Sequence, residues 1–353
     1  MRFGLFGSAQ ARRPDPGAEL TDSSQGFREW IENNIEAEAL GFHSTFVVEH
    51  HFTGFGQVSA SLNLLTWLGA RTSTLRLGTA VLVLPWHNPV LLAEQAATLD
   101  LLSGGRLDFG IGKGYRHNEF KGFCIAPEEA DARFEEAVEV ITKSWLTRTR
   151  FSHRGRFWQF DDIVVEPPPA QQPHPPFWVA AGSDASIRRA AERGFNLILD
   201  QYASPQQLGR RIALYRSLRQ ANGRGFDPMQ VAVARQIYVA KDQAEAAAAL
   251  ERATQFTQRT VEVARTPGGA LSGSHVLSYA AAAGATEAHA LYGTPDYVCE
   301  GLEALNSVGV RYVLLTTLGG TEPLRRFARD VMPAFADKRP RHPAETASER
   351  APA

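Results

Sequence analysis

The chain has 353 residues, a formal net charge of −1 and 44% hydrophobic residues. A charge so close to zero argues against nucleic acid or an anionic membrane as the main partner, and two cysteines are too few for a disulfide framework or a cysteine-rich zinc module. No apolar run reaches the roughly 18 residues of a transmembrane helix, and the first apolar run is too short for a signal peptide. We therefore expect a soluble cytoplasmic protein.

Short apolar segments alternate with amphipathic segments along the chain. The apolar segments predict strands at residues 2–7, 43–50, 75–85, 106–114, 177–183, 195–201, 230–240 and 310–317. Apolar residues at helical spacing predict helices at residues 25–42, 59–73, 88–105, 127–146, 185–194, 204–223, 242–256, 294–309 and 321–337. A predicted hairpin at residues 150–169 and a poorly patterned stretch at residues 266–293 interrupt this alternation.

The alternation predicts the fold class. Strands that are apolar throughout indicate parallel strands buried on both faces. The eight strand–helix units predict an α/β protein, a (β/α)8 TIM barrel with insertions, in a single domain of residues 1–338. Residues 339–353, rich in proline, alanine and charge, are predicted to form a disordered tail. A doubly wound open sheet is the alternative, but its only candidate dinucleotide fingerprint, "GIGKGY", lacks the third glycine.

Three ligand-type side chains, Glu49, His50 and His51, follow the second predicted strand. In a barrel the active site lies at the C-terminal ends of the strands, so this is a candidate site. Adjacent side chains of a strand point to opposite sides, so the two imidazoles are not expected to share an ion, and the further candidate ligands His87 and Asp200 are scattered. No metal site is predicted. The inward histidine is a candidate general acid or base, and the other is expected to be structural.

Small residues mark three further strand ends. Residues 78–80 would let a flat ring approach the backbone, or would serve ordinary strand packing. The glycines of "GIGKG" around Lys113 suit a phosphate, or a tight turn. Gly182, Ser183 and Ser186 stand at a strand-to-helix junction, where they suit either an anion at a helix N-terminus or an ordinary helix cap. No Gly-x-Ser-x-Gly elbow is present, so covalent hydrolysis has little support.

Five segments follow one another in the order and spacing of a known family. They are "EHHFTGFG", "LGTAVLVLP", "LLSGGRLDFGIGKG", "VAAGSDAS" and "GTPDYVCEGLEALNSVGVRYVLL". From residue 1 to about 338 the chain resembles the bacterial luciferase-like, flavin-dependent monooxygenase family, close to its luciferase α subunits. The resemblance implies a (β/α)8 barrel that binds reduced FMN at its C-terminal mouth, where O2 gives a flavin hydroperoxide that oxidises a small, largely apolar substrate. It also implies a separate flavin reductase as partner and a homodimer.

The resemblance further implies roles for particular residues. His50 matches the family's active-site histidine, a proposed acid or base, and His51 matches a neighbour associated with the dimer interface. The bond between residues 80 and 81 matches a non-prolyl cis peptide against the flavin ring. The cofactor-binding residues implied in this way are Ala80, Val81, Lys113 at the phosphate, Tyr115, Gly182, Ser183, Ser186 and Gln201.

Two departures from the family pattern bear on activity. Gly112 stands where luciferase has a reactive cysteine, and Gln201 stands where it has a tryptophan. Both put light emission in doubt more than oxygenation. Residues 266–293 match a mobile lid loop, and residues 9–25 are interpreted as a lid on the substrate side.

The substrate is not specified by the sequence. Aromatic residues at the strand ends predict an apolar, aromatic-lined pocket formed by Phe6, Phe52, Phe55, Trp86 and Tyr115. Three alternative functions remain open at this point: an oxidoreductase that uses the deazaflavin F420 on the same barrel, a non-catalytic flavin-binding relative, and a metal-dependent barrel hydrolase.

Overall fold

The computed structural model describes residues 1–11, 24–54, 56–266, 268–271, 280–282, 284–316 and 320–336. The predicted tail at residues 339–353 lies outside the described residues. So do Phe55, most of the predicted lid at residues 9–25 and much of the lid at residues 266–293. No helix in the described ranges combines the length and apolar character needed to cross a membrane.

The described strands, in chain order, are β1 (Arg2–Gly7), β2 (Ser44–Val47), β3 (Arg76–Thr79), β4 (Leu82–Val83), β5 (Leu107–Gly112), β6 (Phe151–Arg154), β7 (Gln159–Ile163), β8 (Phe177–Ala180), β9 (Asn196–Leu199), β10 (Val231–Val239), β11 (Leu291–Gly293) and β12 (Tyr312–Thr316). Eight of them form a closed parallel barrel in the order β1-β2-β3-β5-β8-β9-β10-β12, with β12 paired back to β1. The prediction of a (β/α)8 barrel is therefore confirmed, and the open sheet is excluded because it would leave two unpaired edges.

The described α-helices are α1 (Gln25–Ala39), α2 (Ser61–Gly69), α3 (Pro89–Leu102), α4 (His117–Gly122), α5 (Ala130–Leu146), α6 (Asp184–Arg193), α7 (Pro205–Ala221), α8 (Gln243–Val263), α9 (Ala285–His289), α10 (Pro295–Ser307) and α11 (Thr321–Asp330). Short 3-10 turns lie at Leu84–Trp86, Pro127–Glu129, Pro228–Gln230 and Met332–Phe335. The predicted hairpin is confirmed as the antiparallel pair β6–β7.

Several elements differ from the sequence prediction. The strand predicted at residues 75–85 is interrupted at residues 80 and 81 and continues as β4. Helix α8 extends past its predicted end, because Thr257 and Val261 continue its buried stripe. Helix α4 and strand β11 were not predicted, since segments of this length contain too few residues to show a period.

The interior of the barrel is filled at its lower end. One buried cluster inside the strands consists of Phe46, Trp178, Ile198, Ala232, Tyr312 and Leu314. A side chain at Gly78 would come within 2.4 Å of the Phe46 ring, so this glycine makes room for the core and not for a ligand. Of the small residues 78–80, only Ala80 reaches the open end. The packed floor leaves the C-terminal mouth as the place for a site.

Candidate active site

A cavity of about 700 Å³ opens at the C-terminal mouth of the barrel. Its wall is mostly apolar and comes from the ends of the barrel strands together with α4, α6 and α8. All the site residues predicted from the sequence lie on this wall: His50, Ala80, Val81, Lys113, Tyr115, Gly182, Ser183, Ser186 and Gln201. The structure thus brings them together around one space, and their individual roles stay predictions.

The aromatic lining differs in part from the prediction. Phe6 and Tyr115 line the cavity. Phe52 is 58% exposed and Trp86 stacks on Phe123 at a ring distance of 5.2 Å, and neither lies on the cavity wall. These two rings belong to an aromatic cluster outside the barrel mouth. The cavity is nevertheless lined by aromatic rings, because residues that were not predicted, such as Phe134, Tyr202 and Phe256, lie on its wall.

His50 lies at the end of β2, with its side chain on the cavity wall. Its Nδ1 is 3.0 Å from Oε1 of Glu119 on α4. A carboxylate only accepts hydrogen bonds, so Nδ1 carries the proton and Nε2 is left as the basic nitrogen. Burial and the nearby charge of Arg116 lower the pKa of His50, although the bond to Glu119 opposes them. The imidazole is therefore neutral at pH 7 and can accept a proton there.

His51 points to the other side of the strand, as alternation predicted. Its Nε2 is 2.8 Å from Oε1 of Glu49, and its ring packs edge-on against Phe123. It is not part of the cavity wall. Among the described residues no group of three or more His, Cys, Asp or Glu side chains is placed to hold a metal ion.

Glu49 is a buried connector between two loops. Its Oε1 accepts hydrogen bonds from His51 and from Nε2 of His87, each at 2.8 Å, and its Oε2 accepts one from the Val83 amide at 2.8 Å. Burial raises the pKa of this carboxyl, but the three hydrogen bonds outweigh burial and hold the pKa below its usual value. His87 stands far from Glu49 in the sequence, but the fold thus places it next to Glu49. The carboxylate fixes β4 to the end of β2.

The peptide bond between Ala80 and Val81 is cis, as the resemblance implied. The glycines of β5 make room for this segment: a side chain at Gly110 would come within 1.7 Å of the Thr79 carbonyl oxygen, and one at Gly112 within 2.4 Å of Val81. Close packing therefore explains why glycine stands at these two positions, and no bound phosphate is required to explain it.

Lys113 lies on the cavity wall but is already paired. Its Nζ is 2.7 Å from Oδ1 of Asp131, which is largely exposed. An exposed pair of this kind contributes little energy and exchanges readily, so the ammonium remains accessible to an anion that enters the cavity.

The N-terminus of α6 has an ordinary cap and also faces the cavity. Ser183 Oγ accepts from the Ser186 amide at 3.3 Å, and Ser186 Oγ accepts from the Ser183 amide at 3.2 Å, which is a capping box. The cap interpretation is therefore confirmed, but the remaining first-turn amides of a helix have no partner within it and favour an anion. Arg189, which the sequence analysis missed, also lines the cavity. The sequence signal that could have identified Arg189 is its spacing of three residues from Ser186.

Two other wall residues were missed by the sequence analysis. Arg116 and Glu119 belong to the short segment "YRHNEF", and both are buried. They reach the site through α4, a helix too short to be predicted. Asp200, a candidate metal ligand in the sequence, instead forms an ion pair in which its Oδ2 is 2.8 Å from Nη1 of Arg211.

The cavity fits a planar ring with an anionic tail. The wall beside residues 80 and 81 is apolar, formed by Ala80, Val81, Ile111 and Val179, and the helix N-terminus and Arg189 supply a place for the anion. The sequence model of the luciferase-like monooxygenases matches residues 1–312. The chain belongs to the luciferase-like monooxygenase family.

Three relatives of the luciferase-like family show its range. The oxygenase component of a flavin-dependent trigonelline monooxygenase from Acinetobacter baylyi is 33% identical over 199 residues, which cover 56% of this chain and 53% of that one. An FMNH2-dependent dimethylsulfone monooxygenase from Pseudomonas putida is 27% identical, covering 84% and 85%. An F420-dependent glucose-6-phosphate dehydrogenase from Intrasporangium calvum is 32% identical, covering 49% and 54%. The chain thus spans about half the length of some relatives it matches.

A solved structure agrees over nearly the whole chain. The monooxygenase RslO1 from Streptomyces bottropensis has 28% identity and a TM-score of 0.78, covering 95% of this chain and 100% of that one. The likeness to this monooxygenase therefore covers nearly the whole chain and not only separate sequence segments.

Proposed function

We propose that the chain is the oxygenase component of a two-component monooxygenase, which uses reduced FMN and O2 to oxidise a small, largely apolar organic substrate. The observation that carries this proposal is the shared cavity, where His50, the cis bond at residues 80 and 81 and the N-terminus of α6 meet. Membership of the luciferase-like family and the similarity to two flavin-dependent monooxygenases support it.

Residues of the cavity would hold FMN in a defined orientation. Ala80 and Val81 would contact the ring, and Gly182, Ser183, Ser186 and Lys113 would hold the phosphate, with Arg189 as a further cation. Tyr115 and Gln201 complete the wall near the ring. Reduced FMN, when bound, supplies the electrons that activate O2.

The chain's own contribution to chemistry is centred on His50. Glu119 holds its Nδ1 proton, so Nε2 is available to accept a proton from the substrate or return one. The apolar walls exclude water from the same space. A separate flavin reductase would deliver reduced FMN, consistent with the relative named as an oxygenase component and with the missing nicotinamide fingerprint. A cytoplasmic location is part of this proposal.

The proposed function predicts flavin-dependent oxygen uptake. The purified chain should bind FMN or reduced FMN, and O2 consumption should depend on the chain when a flavin reductase and NADH are added with a substrate panel. Binding is measured by fluorescence titration with FMN and, in parallel, with F420. Failure to bind both oxidised and reduced FMN contradicts the proposal, and tighter binding of F420 supports the alternative reductase-type function suggested by the dehydrogenase relative.

We also propose a homodimer. Large apolar side chains stand exposed on the adjacent helices α2 and α3: Trp67 at 65%, Leu91 at 53% and Leu102 at 69%. Such exposed patches mark interaction surfaces. Light scattering should give a mass about twice the 38.7 kDa of one chain. Trp67→Glu should shift the mass towards one chain, whereas Tyr297→Glu, at a 50% exposed residue of α10, should not. A monomeric wild-type protein would contradict the dimer.

A further inference from the structure

Arg116 is a buried cation with two unpaired nitrogens among the residues that the structure describes. It is 1% exposed and lines the cavity. Its Nε and Nη1 have no hydrogen-bond partner among the residues that the structure describes. Buried guanidinium groups normally satisfy most of their five N–H donors, because an unpaired buried charge is costly.

A second buried arginine of the same barrel has partners at both terminal nitrogens, although its Nε is also unpaired among the described residues. Arg235 is 2% exposed, and its Nη1 donates to the carbonyl oxygen of Gln201 at 2.8 Å while its Nη2 donates to that of Ala203 at 2.9 Å. Arg235 thus has a structural task that its contacts explain. For Arg116 the described part of the chain shows no comparable contacts, so its buried Nε and Nη1 are left for a molecule that reaches them from the cavity.

The position of Arg116 separates it from the proposed phosphate site. After β5 the chain turns towards β2, since Glu119 of α4 accepts hydrogen bonds from His50 Nδ1 and from the His51 amide, each at 3.0 Å. The serines of α6 follow β8, which pairs with the opposite edge of β5. Arg116 therefore lies on the His50 side of the cavity, where its guanidinium is 5.8 Å from the Tyr115 ring.

The nearby carboxylate does not neutralise Arg116. Glu119 accepts hydrogen bonds from His50 Nδ1 and from the His51 amide. Among the described contacts it has none with the Arg116 guanidinium. A planar guanidinium fork matches a carboxylate with two parallel hydrogen bonds. The surrounding wall is otherwise mostly apolar.

We propose that the substrate is an organic carboxylate, whose acid group pairs with Arg116 while its apolar part occupies the cavity beside His50. This inference rests on the proposed function and narrows it to a substrate class. Arg116 is then a specificity-determining residue: it fixes the end of the substrate that does not react and presents the apolar part to the flavin ring.

The test uses the FMN-loaded chain and two matched probe pairs, benzoate with benzamide and octanoate with octanamide, titrated by calorimetry. At least one carboxylate should bind about tenfold or more tightly than its amide, as expected for a charge-assisted pair. Arg116→Gln should abolish this preference, because only the carboxylate probe pairs with the guanidinium charge and the neutral amide does not. Arg188→Gln, at an exposed residue of α6 outside the cavity wall, is the matched control and should keep the preference.

Two further measurements distinguish a binding role from a structural one. Arg116→Gln should melt no lower than the wild type, since the change removes an unpaired charge and no described hydrogen bond. Its FMN affinity should stay within about threefold of the wild type, a difference below 1 kcal/mol. A marked loss of thermal stability would make Arg116 structural and overturn the proposal.

The outcomes separate this inference from the proposed function. Equal affinity of the wild type for each carboxylate and its amide overturns the substrate class while leaving FMN binding intact. An Arg116→Gln chain that loses FMN affinity as much as carboxylate affinity places the guanidinium on the flavin phosphate and also overturns it. If the wild type binds no FMN, the proposed function fails, and the same titration on the flavin-free chain still decides whether Arg116 selects carboxylates.

Discussion

Replacing His50 with alanine should lower the turnover number of the reductase-coupled reaction by about 10²- to 10⁴-fold, the usual contribution of a positioned acid or base. FMN affinity should change far less, because the residues proposed to contact the phosphate and the ring are on other strands. The measurement is the rate of product formation at saturating reduced FMN. O2 uptake is not used, because it would also count reduced flavin that is oxidised without oxidising the substrate.

The adjacent imidazole is the matched control for His50. His51 lies off the cavity wall and bonds to Glu49, so His51→Ala should reduce stability through the loss of that bond while keeping turnover within about tenfold of the wild type. Equal losses in the two variants, or a His50→Ala chain with turnover like the wild type, would show that His50 is not the acid or base.

The pH profile gives a second measure of the same role. Burial, assisted by Arg116, lowers the pKa of His50 from its usual 6.5, whereas Glu119 raises it. A base must be neutral, so kcat/KM should rise with pH through the pKa of His50 and be level at pH 7. Glu119→Gln removes the raising influence and should move this acidic limb to lower pH. Arg116→Gln removes a lowering influence and should move it to higher pH.

Those opposite shifts are hard to produce by misfolding, which changes the height of a profile more than its midpoint. Shifts in the same direction for both variants would contradict the assignment of the limb to His50. No shift in either variant would assign the limb to another group.

Gly110→Ala should destabilise the barrel by about 3 kcal/mol, at the upper end of the usual cost of overpacking. The added methyl would meet the Thr79 carbonyl oxygen at 1.7 Å, and a backbone atom cannot rotate away. The same change would separate Thr79 from Gly110, whose amide and carbonyl bond to the Thr79 hydroxyl at 2.8 and 2.7 Å. Urea unfolding at pH 7 measures the loss of free energy.

A strand glycine with open space is the control for Gly110. Gly7 ends β1 and has nothing within 4 Å of an added Cβ, so Gly7→Ala should leave the free energy of unfolding within about 1 kcal/mol of the wild type. Because Thr79 precedes Ala80 and Val81, which line the cavity, Gly110→Ala should also weaken FMN binding. A Gly110→Ala chain as stable as Gly7→Ala would contradict the packing argument.

The sequence by itself determined the barrel and several of the residues around its mouth, but not Arg116, Glu119 or Arg189. Apolar strands alternating with amphipathic helices place every strand parallel, and parallel strands deliver their C-terminal ends to one face. For that reason the sequence assigns residues that are far apart along the chain to one cavity, namely His50, Lys113, Ser183 and Gln201. Strand alternation alone was enough to separate His50 from His51.

Only the tertiary structure decided which groups these residues touch. Glu119 meets His50 from 69 positions away through a helix too short to carry a periodic signal, and Glu49 meets His87 across the interrupted strand. The glycines of β5 looked like phosphate ligands in the sequence, but Gly110 makes room for the Thr79 backbone and Gly112 for the Val81 side chain. A buried charge such as Arg116 is recognised as unpaired only when all its neighbours are placed, because hydrogen-bond satisfaction depends on contacts that sequence spacing does not contain.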